Sequence, residues 1–298
     1  MCSSDLVTRA AAVLNLTQSA VSAAIAALEA RLGAKLFHRV GRGVELTDAG
    51  ALFLVEARAI LARVEAAEQL LSELGDLKRG TLAVHASQTI AGYWLPRHLV
   101  AFRRKYPGID IRLTIGNTTQ GGAALHNGAA DLAFIEGVIE DPMLTKQQVA
   151  RDQLVIVVGT EHAWSATAPL ERERLIETEW VLREPGSGTR STFEAALQSF
   201  GVSPGALRLA LELPSNEAVR AAVEAGLGAT AISASVAAPS LEAGLLHRIR
   251  FDLPERDFQA LRHVARCRNR AADALLSMVT HALPDPRVHR RSAAVRGS

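Results

Sequence analysis

The stretch Leu14-Asn15-Leu16-Thr17-Gln18-Ser19-Ala20-Val21-Ser22 decides the fold of the N-terminal part of this chain. The alanine-rich run at 9–14 favours a helix, and Asn15 suits the left-handed conformation that ends one. Thr17 is a good N-cap for a second helix, which an apolar stripe predicts to continue as far as Gly33. That stripe consists of Val21, Ile25, Leu28 and Leu32. The two helices are so closely joined that the first turn of the second helix must protrude.

The protruding turn carries short hydrogen-bonding side chains, which suit the major groove of DNA. Helix amides attract phosphate, and Gln or Ser side chains reach base edges. The corner alone is equally compatible with a helical protein that binds no DNA. The basic hairpin that follows favours DNA, because 36–39 leads through the glycine-flanked turn 40–43 into 44–46 and so predicts a wing. The residues predicted to contact DNA, with the arginines on phosphates, are Thr17, Gln18, Ser19, Ser22, Arg39 and Arg42.

The order of these segments resembles the signature of LysR-type bacterial transcriptional regulators. The matching segments are 16–22, Leu28-Glu29, Leu32-Gly33, Leu36-Phe37-His38-Arg39 and Leu46-Thr47-Asp48-Ala49-Gly50. The resemblance extends over roughly residues 7–282. It implies a winged helix-turn-helix domain that binds operator DNA, a linker helix, and a region that binds a small-molecule effector. An activator of this kind would also meet RNA polymerase at the promoter.

Two features depart from the family pattern. Ala23 and Ala24 stand where the family usually has polar or basic residues, so fewer side chains are available for DNA. The family also has a full helix ahead of the corner, whereas only residues 1–6 precede it here. We therefore expect either weak DNA binding or an incomplete N terminus that lacks the first helix.

A long helix is predicted after the wing, because Thr47 caps a proline-free run from Asp48 to about Leu77. Its apolar residues alternate spacings of four and three and form an apolar stripe, as in the heptad repeat of a coiled coil. They are Phe53, Ala57, Ile60, Val64, Ala67, Leu71 and Leu74. A stripe on the order of 45 Å long needs a partner helix, which predicts a dimer. The alternative is a long helix packed on its own domain. The stripe predicts at least a homodimer, and the family resemblance suggests a homotetramer made from two such dimers.

From residue 80 onward, short apolar strands alternate with helices, which predicts βαβ units on mainly parallel sheets. Apolar residues make up 48% of the chain and aromatic residues 4%, as in an aliphatic α/β core. The resemblance implies two Rossmann-like lobes similar to periplasmic solute-binding proteins, joined near Arg151-Asp152 and Leu253-Pro254. The predicted fold class is α/β with an all-α-type winged helix-turn-helix domain. The predicted limits are 1–47 for the DNA-binding domain, 48–79 for the linker helix, 80–283 for the effector-binding domain (lobe I 80–151 and 254–283, lobe II 152–253) and 284–298 for a basic disordered tail.

Polar residues gather where the predicted strands lead into helices. In open α/β sheets those edges face the ligand crevice, and helix N termini there offer amide donors to an anion. Taken singly, each segment is better explained as an ordinary turn and N-cap, and it is their recurrence that favours a binding site. The predicted effector-binding residues are Ser87, Thr89, Thr118, Glu136, Ser187, Thr189, Arg190 and Asn216. The expected ligand is a sulfur oxyanion or a small organic acid.

Glu136 complicates an anion site. A carboxylate that points into the cleft would either pair with Arg190 or be shifted toward its protonated form by an anionic ligand. Alternatively, Glu136 caps a neighbouring helix and never meets the ligand. Residues 86–90, 134–137 and 182–190 resemble the family subgroup that regulates sulfur assimilation or carbon fixation.

The sequence contains no recognisable catalytic motif, so an enzyme is not expected. Gly186-Ser187-Gly188 is not a nucleophile elbow, no glycine-rich phosphate loop is followed by lysine, and the nine histidines lack metal-ligand spacing. No cofactor or metal is expected. Two distant cysteines, no export signal and no membrane-length apolar run predict a cytoplasmic protein with no membrane partner. The open alternatives are a cytoplasmic solute-binding or sensor protein with weak DNA binding and an α/β enzyme.

Overall fold

The computed structural model describes residues 4–14, 16–40, 43–72, 79–165, 169–266 and 268–281. The chain forms two compact units, residues 1–64 and 65–298. The predicted tail at 284–298 lies outside the described residues. No single helix in the described ranges is long and apolar enough to cross a membrane. Residues 7–13 and 18–32 meet the limits of length and composition only when they are taken as a pair, and the chain bends by 104° between them.

The first unit contains two helices, a hairpin and the start of a long helix. In chain order they are α1 (Ser4–Val13), α2 (Gln18–Leu32), β1 (Phe37–Val40), β2 (Gly43–Leu46) and α3 (Asp48–Ser72), which spans the boundary between the units. The predicted caps of α2 are confirmed: Thr17 is extended and accepts a hydrogen bond from Ala20 N at 3.3 Å, and Gly33 adopts a left-handed φ of 66°. Asn15, predicted to end the first helix, lies outside the described residues.

Glu29 anchors the antiparallel hairpin β1–β2 to α2. Its largely buried carboxylate accepts hydrogen bonds from the backbone N–H groups of Leu36 and Phe37, at 2.9 and 3.2 Å, and from Lys35 Nζ at 2.7 Å. The start of α3 packs equally closely, because a Cβ at Gly50 would stand 2.0 Å from the carbonyl oxygen of Leu36. This contact requires glycine at that position.

The described part of α3 leaves its predicted apolar stripe open to solvent. Ile60 is 59% exposed and Val64 50% exposed, and Phe53 and Ala57 are half-buried. The helix was predicted to reach Leu77, but residues 73–78 lie outside the described part of the chain. The same holds for Leu74 and for the side chains of Ala67 and Leu71.

The second unit is a pair of α/β lobes. In chain order its elements are β3 (Gly80–Ser87), α4 (Leu95–Lys105), β4 (Ile109–Gly116), α5 (Thr118–His126), β5 (Leu132–Glu136), β6 (Leu144–Gly159), β7 (Glu179–Arg183), α6 (Gly188–Ser199), β8 (Arg208–Leu213), α7 (Asn216–Glu224), β9 (Ala229–Ser233), α8 (Ala234–Glu242), β10 (Leu246–Arg248), β11 (Glu255–His263) and α9 (Arg270–His281). A π-helical turn, Ile90–Trp94, precedes α4.

The strands form a continuous path in the order β4-β3-β5-β11-β6-β9-β7-β8, with β10 also paired to β6. The prediction of mainly parallel sheets was only partly right. The pairs of β3 with β4 and β5, and of β7 with β8 and β9, are parallel, whereas every pair made by β6 or β11 is antiparallel. The two pairs made by β11 are antiparallel because β11 brings the chain back beside β6 in the opposite direction.

β6 joins the two lobes. Residues 144–153 pair with β11, and residues 154–158 pair with β9. From the sequence, the apolar run predicts a strand only at 154–159, but β6 begins ten residues earlier, because the polar run 145–148 is held by the returning strand. Here lobe I denotes β3–β5, β11, the first part of β6 and helices α4, α5 and α9, and lobe II denotes the rest of β6, β7–β10 and α6–α8.

Each lobe has its own apolar core. In lobe I, Leu82, Phe102 and Phe134 are among the fully buried side chains, and in lobe II Trp180 and Phe193 have the same role. The sequence predicts a helix from Thr192, whereas α6 begins at Gly188, and α8 and β10 were not predicted from the sequence.

Candidate functional site

The N-terminal turn of α2 presents the residues predicted to touch DNA. Thr17, Gln18, Ser19 and Ser22 are all exposed, and the Thr17 and Ser19 hydroxyl oxygens lie 3.0 Å apart. Arg39 lies on β1 opposite Val44, and its side chain is not among the described parts of the chain. Arg42 lies outside the described residues. Four of the six predicted DNA contacts thus lie together on one exposed turn.

Seven of the eight predicted effector-binding residues lie at the junction of the two lobes, which is here called the seam. All seven have less than 5% of their surface exposed, although all are polar. They are Ser87, Thr89, Thr118, Glu136, Ser187, Thr189 and Asn216. The topology brings them together because β3 ends at Ser87 and β5 at Glu136, while α5, α6 and α7 begin at 118, 188 and 216.

One set of interlobe hydrogen bonds joins the end of β3 to the N terminus of α7. Gln88 donates through Nε2 to the carbonyl oxygen of Pro214 at 2.7 Å, and its Oε1 accepts from the backbone N–H of Asn216 at 3.0 Å. Asn216 in turn donates through Nδ2 to Oγ1 of Thr89 at 3.0 Å. Thr89 and Asn216 are therefore bonded directly to each other across the seam.

A second set joins the N terminus of α5 to the turn before α6. Asn117 donates through Nδ2 to Glu184 Oε1 at 3.2 Å, and the Thr119 N–H donates to the carbonyl oxygen of Gly186 at 3.3 Å. Asn117 also caps α5 through a full capping box. By contrast, Ser187 at the N-cap of α6 makes no side-chain capping bond.

Glu136 is held at the centre of the seam. Its Oε2 accepts a hydrogen bond from Ser87 Oγ, and its backbone carbonyl accepts one from Thr118 Oγ1. Its charged neighbour is Arg256, whose Nη1 lies 3.9 Å from Oε1. The structure therefore shows no pairing of Glu136 with Arg190, which was one of the alternatives that the sequence left open, and Arg256 of β11 lies beside Glu136 instead.

Arg256 connects elements of both lobes. Its Nε donates to Asp152 Oδ2 at 2.8 Å, and its Nη2 lies 2.6 Å from the same oxygen at an angle that makes an ion pair without a hydrogen bond. Its Nη1 donates to Thr189 Oγ1 at 3.1 Å. Asp152 also accepts from Ser233 Oγ at 2.7 Å. Because both charged groups are buried, the loss of either one would leave an uncompensated ion.

Arg190 is held on lobe II, away from Glu136. It bonds to Glu194 at 2.7 Å, to Glu212, and to the carbonyl oxygen of Arg183. Burial acts to lower the pKa of Arg190, but the two carboxylates outweigh burial and raise the pKa above its ordinary value. No described contact therefore joins the Arg190 side chain to the other predicted effector-binding residues.

Arg183, Arg256, Asp152 and His85 were not predicted from the sequence. Arg183 is buried, donates twice to Glu184 and once to Asn216 Oδ1, and so joins the seam from β7. Burial of Glu184 acts to raise its pKa, and the bonds from Arg183 reverse the effect and lower it.

His85 lies beneath the start of α5, where its Nε2 is 3.3 Å from the carbonyl oxygen of Asn117 and its Nδ1 has no hydrogen-bond partner among the described residues. Burial lowers the pKa of this imidazole. The position of Arg183 at the end of a buried strand could have signalled its role. Asp152 and Arg256 are 104 residues apart, and nothing local connects them.

The described residues contain no group of three or more His, Cys, Asp or Glu side chains arranged to hold a metal ion. What the seam offers instead is hydroxyl and amide donors, two arginines and three carboxylates. Such a set binds small polar molecules through hydrogen bonds and charge.

Two family models match the chain. One, described as "Bacterial regulatory helix-turn-helix protein, lysR family", covers residues 3–51, and the other, "LysR substrate binding domain", covers residues 75–284. The chain belongs to the LysR family of bacterial transcriptional regulators. The resemblance inferred from the sequence is thereby confirmed. As a LysR-family member, the protein is a transcription regulator with a DNA-binding helix-turn-helix domain and an effector-binding domain.

Relatives of this LysR regulator match most of its length. A "Probable RuBisCO transcriptional regulator" of Cyanophora paradoxa is 34% identical over 247 residues, which are 82% of this chain and 76% of the relative. The "Uncharacterized HTH-type transcriptional regulator YeiE" of Escherichia coli (strain K12) is 35% identical over 247 residues, or 83% of this chain and 82% of the relative.

Solved LysR-family structures share the fold. CbnR, a LysR family transcriptional regulator, is 22% identical with a TM-score of 0.69, and the match covers 93% of each chain. The regulatory domain of CcmR from Synechocystis PCC6803, in complex with 2-PG, is 25% identical with a TM-score of 0.61. That match covers 70% of this chain and all of the CcmR domain.

Proposed function

We propose that this regulator binds operator DNA through Thr17, Gln18, Ser19, Ser22, Arg39 and Arg42, and that a small anion bound at the seam modulates its action at the promoter. The proposed effector is a sulfur oxyanion or a small organic acid. The observation that carries the proposal is the burial of seven predicted polar residues between two lobes that share direct hydrogen bonds. A molecule that binds there must change how the lobes meet.

The chemistry of the seam supports an anion. α6 begins at Gly188 without a side-chain cap, so the positive end of its dipole is not offset by a capping oxygen. The hydroxyl groups of Thr89 and Thr189 both accept hydrogen bonds, and a hydroxyl that accepts can still donate its own hydrogen to a ligand. The binding of 2-PG by the similar CcmR domain also supports a small-molecule effector.

The same proposal includes the organisation of the chain. Residues 1–47 would bind DNA, 48–79 would dimerise, and 80–283 would bind the effector, with lobe I at 80–151 and 254–283 and lobe II at 152–253. The exposed Ile60 and Val64 support a partner helix on α3. A homodimer or homotetramer in the cytoplasm would then address two operator half-sites, and an activator would recruit RNA polymerase.

Two measurements test the proposal. Thermal unfolding of the full chain with sulfate, thiosulfate, shikimate, 2-PG and putrescine should show stabilisation by at least one anion and none by the diamine. A gel shift on the DNA upstream of the gene should then change when that anion is added. Stabilisation by putrescine alone would make Glu136 the principal ligand group and refute the anion site.

A solute sensor with weak DNA binding is the second candidate. The exposed Ala23 and Ala24 on α2 favour it, because they remove polar contacts from the helix surface next to Ser22. Equal gel-shift affinity for upstream and random DNA, together with a strong thermal shift by an anion, would select this alternative.

A further inference from the structure

Glu136 conflicts with a simple anion site. Its side chain is only 1% exposed, and a buried carboxylate is costly unless hydrogen bonds and opposite charge compensate it. Oε2 accepts from the neutral hydroxyl of Ser87, while Oε1 lies 3.9 Å from Arg256 Nη1, too far for a hydrogen bond. The carboxylate therefore keeps capacity to accept another hydrogen bond.

The two arginines of the seam are committed to other carboxylates. Arg256 faces Asp152 with Nε at 2.8 Å and Nη2 at 2.6 Å, and Arg183 donates to both carboxylate oxygens of Glu184. Each of these pairs is close to neutral. Glu136 is then a third carboxylate with no arginine of its own, and a ligand that carried only negative charge would meet repulsion there.

The groups suited to an anion lie next to Glu136. Arg256 Nη1 donates to Thr189 Oγ1 at 3.1 Å and lies 3.9 Å from Glu136 Oε1, so one guanidinium nitrogen adjoins both. Gly188, at the uncapped start of α6, packs directly on the Glu136 carbonyl. A donor site and an acceptor site therefore lie within the span of one small molecule.

We propose that Glu136 selects organic acids that carry a hydroxyl or ammonium donor beside their carboxylate, and disfavours inorganic oxyanions and unsubstituted carboxylates. The carboxylate of such a ligand would accept from Thr189 and the start of α6, and its hydroxyl or ammonium group would donate to Glu136. This inference rests on the proposed function, because it requires an anion at the seam. It narrows the two ligand classes proposed above to one.

The test uses the full chain and two matched sets of probes that differ only at one carbon. Succinate, malate and aspartate form one set, propionate, lactate and alanine the other, and sulfate is the inorganic probe. Titration calorimetry should show that a substituted acid binds at least about tenfold more tightly than the unsubstituted acid of its set, as expected for a charge-assisted hydrogen bond. The comparison is of malate or aspartate with succinate, and of lactate or alanine with propionate.

Glu136→Gln removes the charge and keeps the shape of the side chain. The preference for the substituted acid should fall to about threefold or less, and sulfate and succinate should bind more tightly than they do to the unmutated protein. Glu173→Gln, at a well-exposed glutamate that pairs with Arg172, is the matched control and should leave the ranking unchanged.

The outcomes separate this inference from the proposed function. If no anion binds the unmutated protein, both fall. If anions bind but the unsubstituted acids or sulfate bind as well as malate and lactate, only the role of Glu136 is overturned. An unchanged ranking in Glu136→Gln would overturn it as well. If Glu136→Gln fails to fold, the ranking of the probes on the unmutated protein still tests whether the site prefers substituted acids.

Discussion

Gly188 lies so close to the backbone of Glu136 that a Cβ on the glycine would stand 1.9 Å from the Glu136 carbonyl oxygen. The same Cβ would be 2.6 Å from Thr118 Oγ1, which donates to that carbonyl. Both obstacles belong to lobe I, whereas Gly188 begins α6 of lobe II. The absence of a side chain at this one position therefore allows the two lobes to meet as they do.

Gly188→Ala should consequently separate the lobes. Since the nearest obstacle is the backbone carbonyl of Glu136, no movement of a side chain can relieve it, and overpacking of this kind costs roughly 1–3 kcal/mol. We expect a lower melting temperature and weaker effector binding in the full chain. Gly205→Ala is the control, because a Cβ there would meet only Ser203 Oγ at 3.8 Å. Unchanged melting of Gly188→Ala would contradict the close contact.

Thr189→Ala should weaken effector binding. The change removes a hydroxyl that accepts from Arg256 and is placed to donate to a ligand. The expected loss is roughly 0.5–1.5 kcal/mol for a neutral hydrogen bond and up to about 3 kcal/mol for a charged ligand. Calorimetry with whichever anion stabilises the protein measures this loss. Thr192→Ala, on the same helix, is the control, and equal losses in the two variants would remove Thr189 from the site.

Gln18→Ala should reduce sequence discrimination on DNA. Gln18 is exposed on the first turn of α2, and the loss of a base contact should cost about 1–3 kcal/mol on the operator only. Arg42→Ala should instead weaken all duplexes alike and lower the salt slope by about one. Fluorescence anisotropy on specific and random DNA at several salt concentrations distinguishes the two patterns. Equal losses on both DNAs for Gln18→Ala would exclude base reading by that residue.

Ile60→Glu or Val64→Glu should dissociate the proposed dimer. Both side chains are at least half exposed in the single chain, and a charge placed there would be buried without a partner in a helix pair, at a cost of several kcal/mol. Leu52→Glu is the control, because Leu52 is 74% exposed and lies outside the apolar stripe of α3. Light scattering should show a smaller mass for the first two variants only. A monomeric unmutated protein at micromolar concentration would disprove the helix pair.

Acid should destabilise the winged helix through Glu29. Its bond to Lys35, followed by that to the Leu36 N–H, lowers the pKa of this carboxyl below its ordinary value of 4.5. Because the folded-state pKa is the lower one, the stabilisation is complete above the unfolded-state value and is lost as the pH falls through the folded-state value. Glu29→Gln should be less stable at neutral pH and should change less with acid. Parallel pH profiles of melting temperature for the two proteins would contradict this role.

Local signals in the sequence were sufficient to predict the caps of α2 and the polar ends of β3 and β5. Thr17, Gly33 and Ser87 are read from residues a few positions away, because capping and strand termination depend on neighbours. The start of α6 was missed, since Gly186 to Arg190 resembles a turn and the N-cap Ser187 bonds no amide through its side chain.

The charged partners at the seam depend on distant residues and could not be predicted in the same way. Arg256 lies in a strand whose neighbours are set by the return of the chain beside β6, 104 residues after Asp152. From the sequence, Arg190 was therefore only one alternative partner for Glu136, because it lies in the polar turn 186–190. In the folded chain that arginine is already held by Glu194 and Glu212.

Lobe II is an insertion whose two ends nearly meet. The chain leaves lobe I through Gln153 and re-enters it at Glu255, and these residues face each other as paired positions of β6 and β11, about 5 Å apart. A whole lobe could be exchanged between relatives through two joints at one place, without disturbing the sheet that receives it. Ser87 and Glu136 would remain with the recipient, whereas Thr189 and Asn216 would come from the donor. Half of a binding preference could thus be inherited separately from the other half.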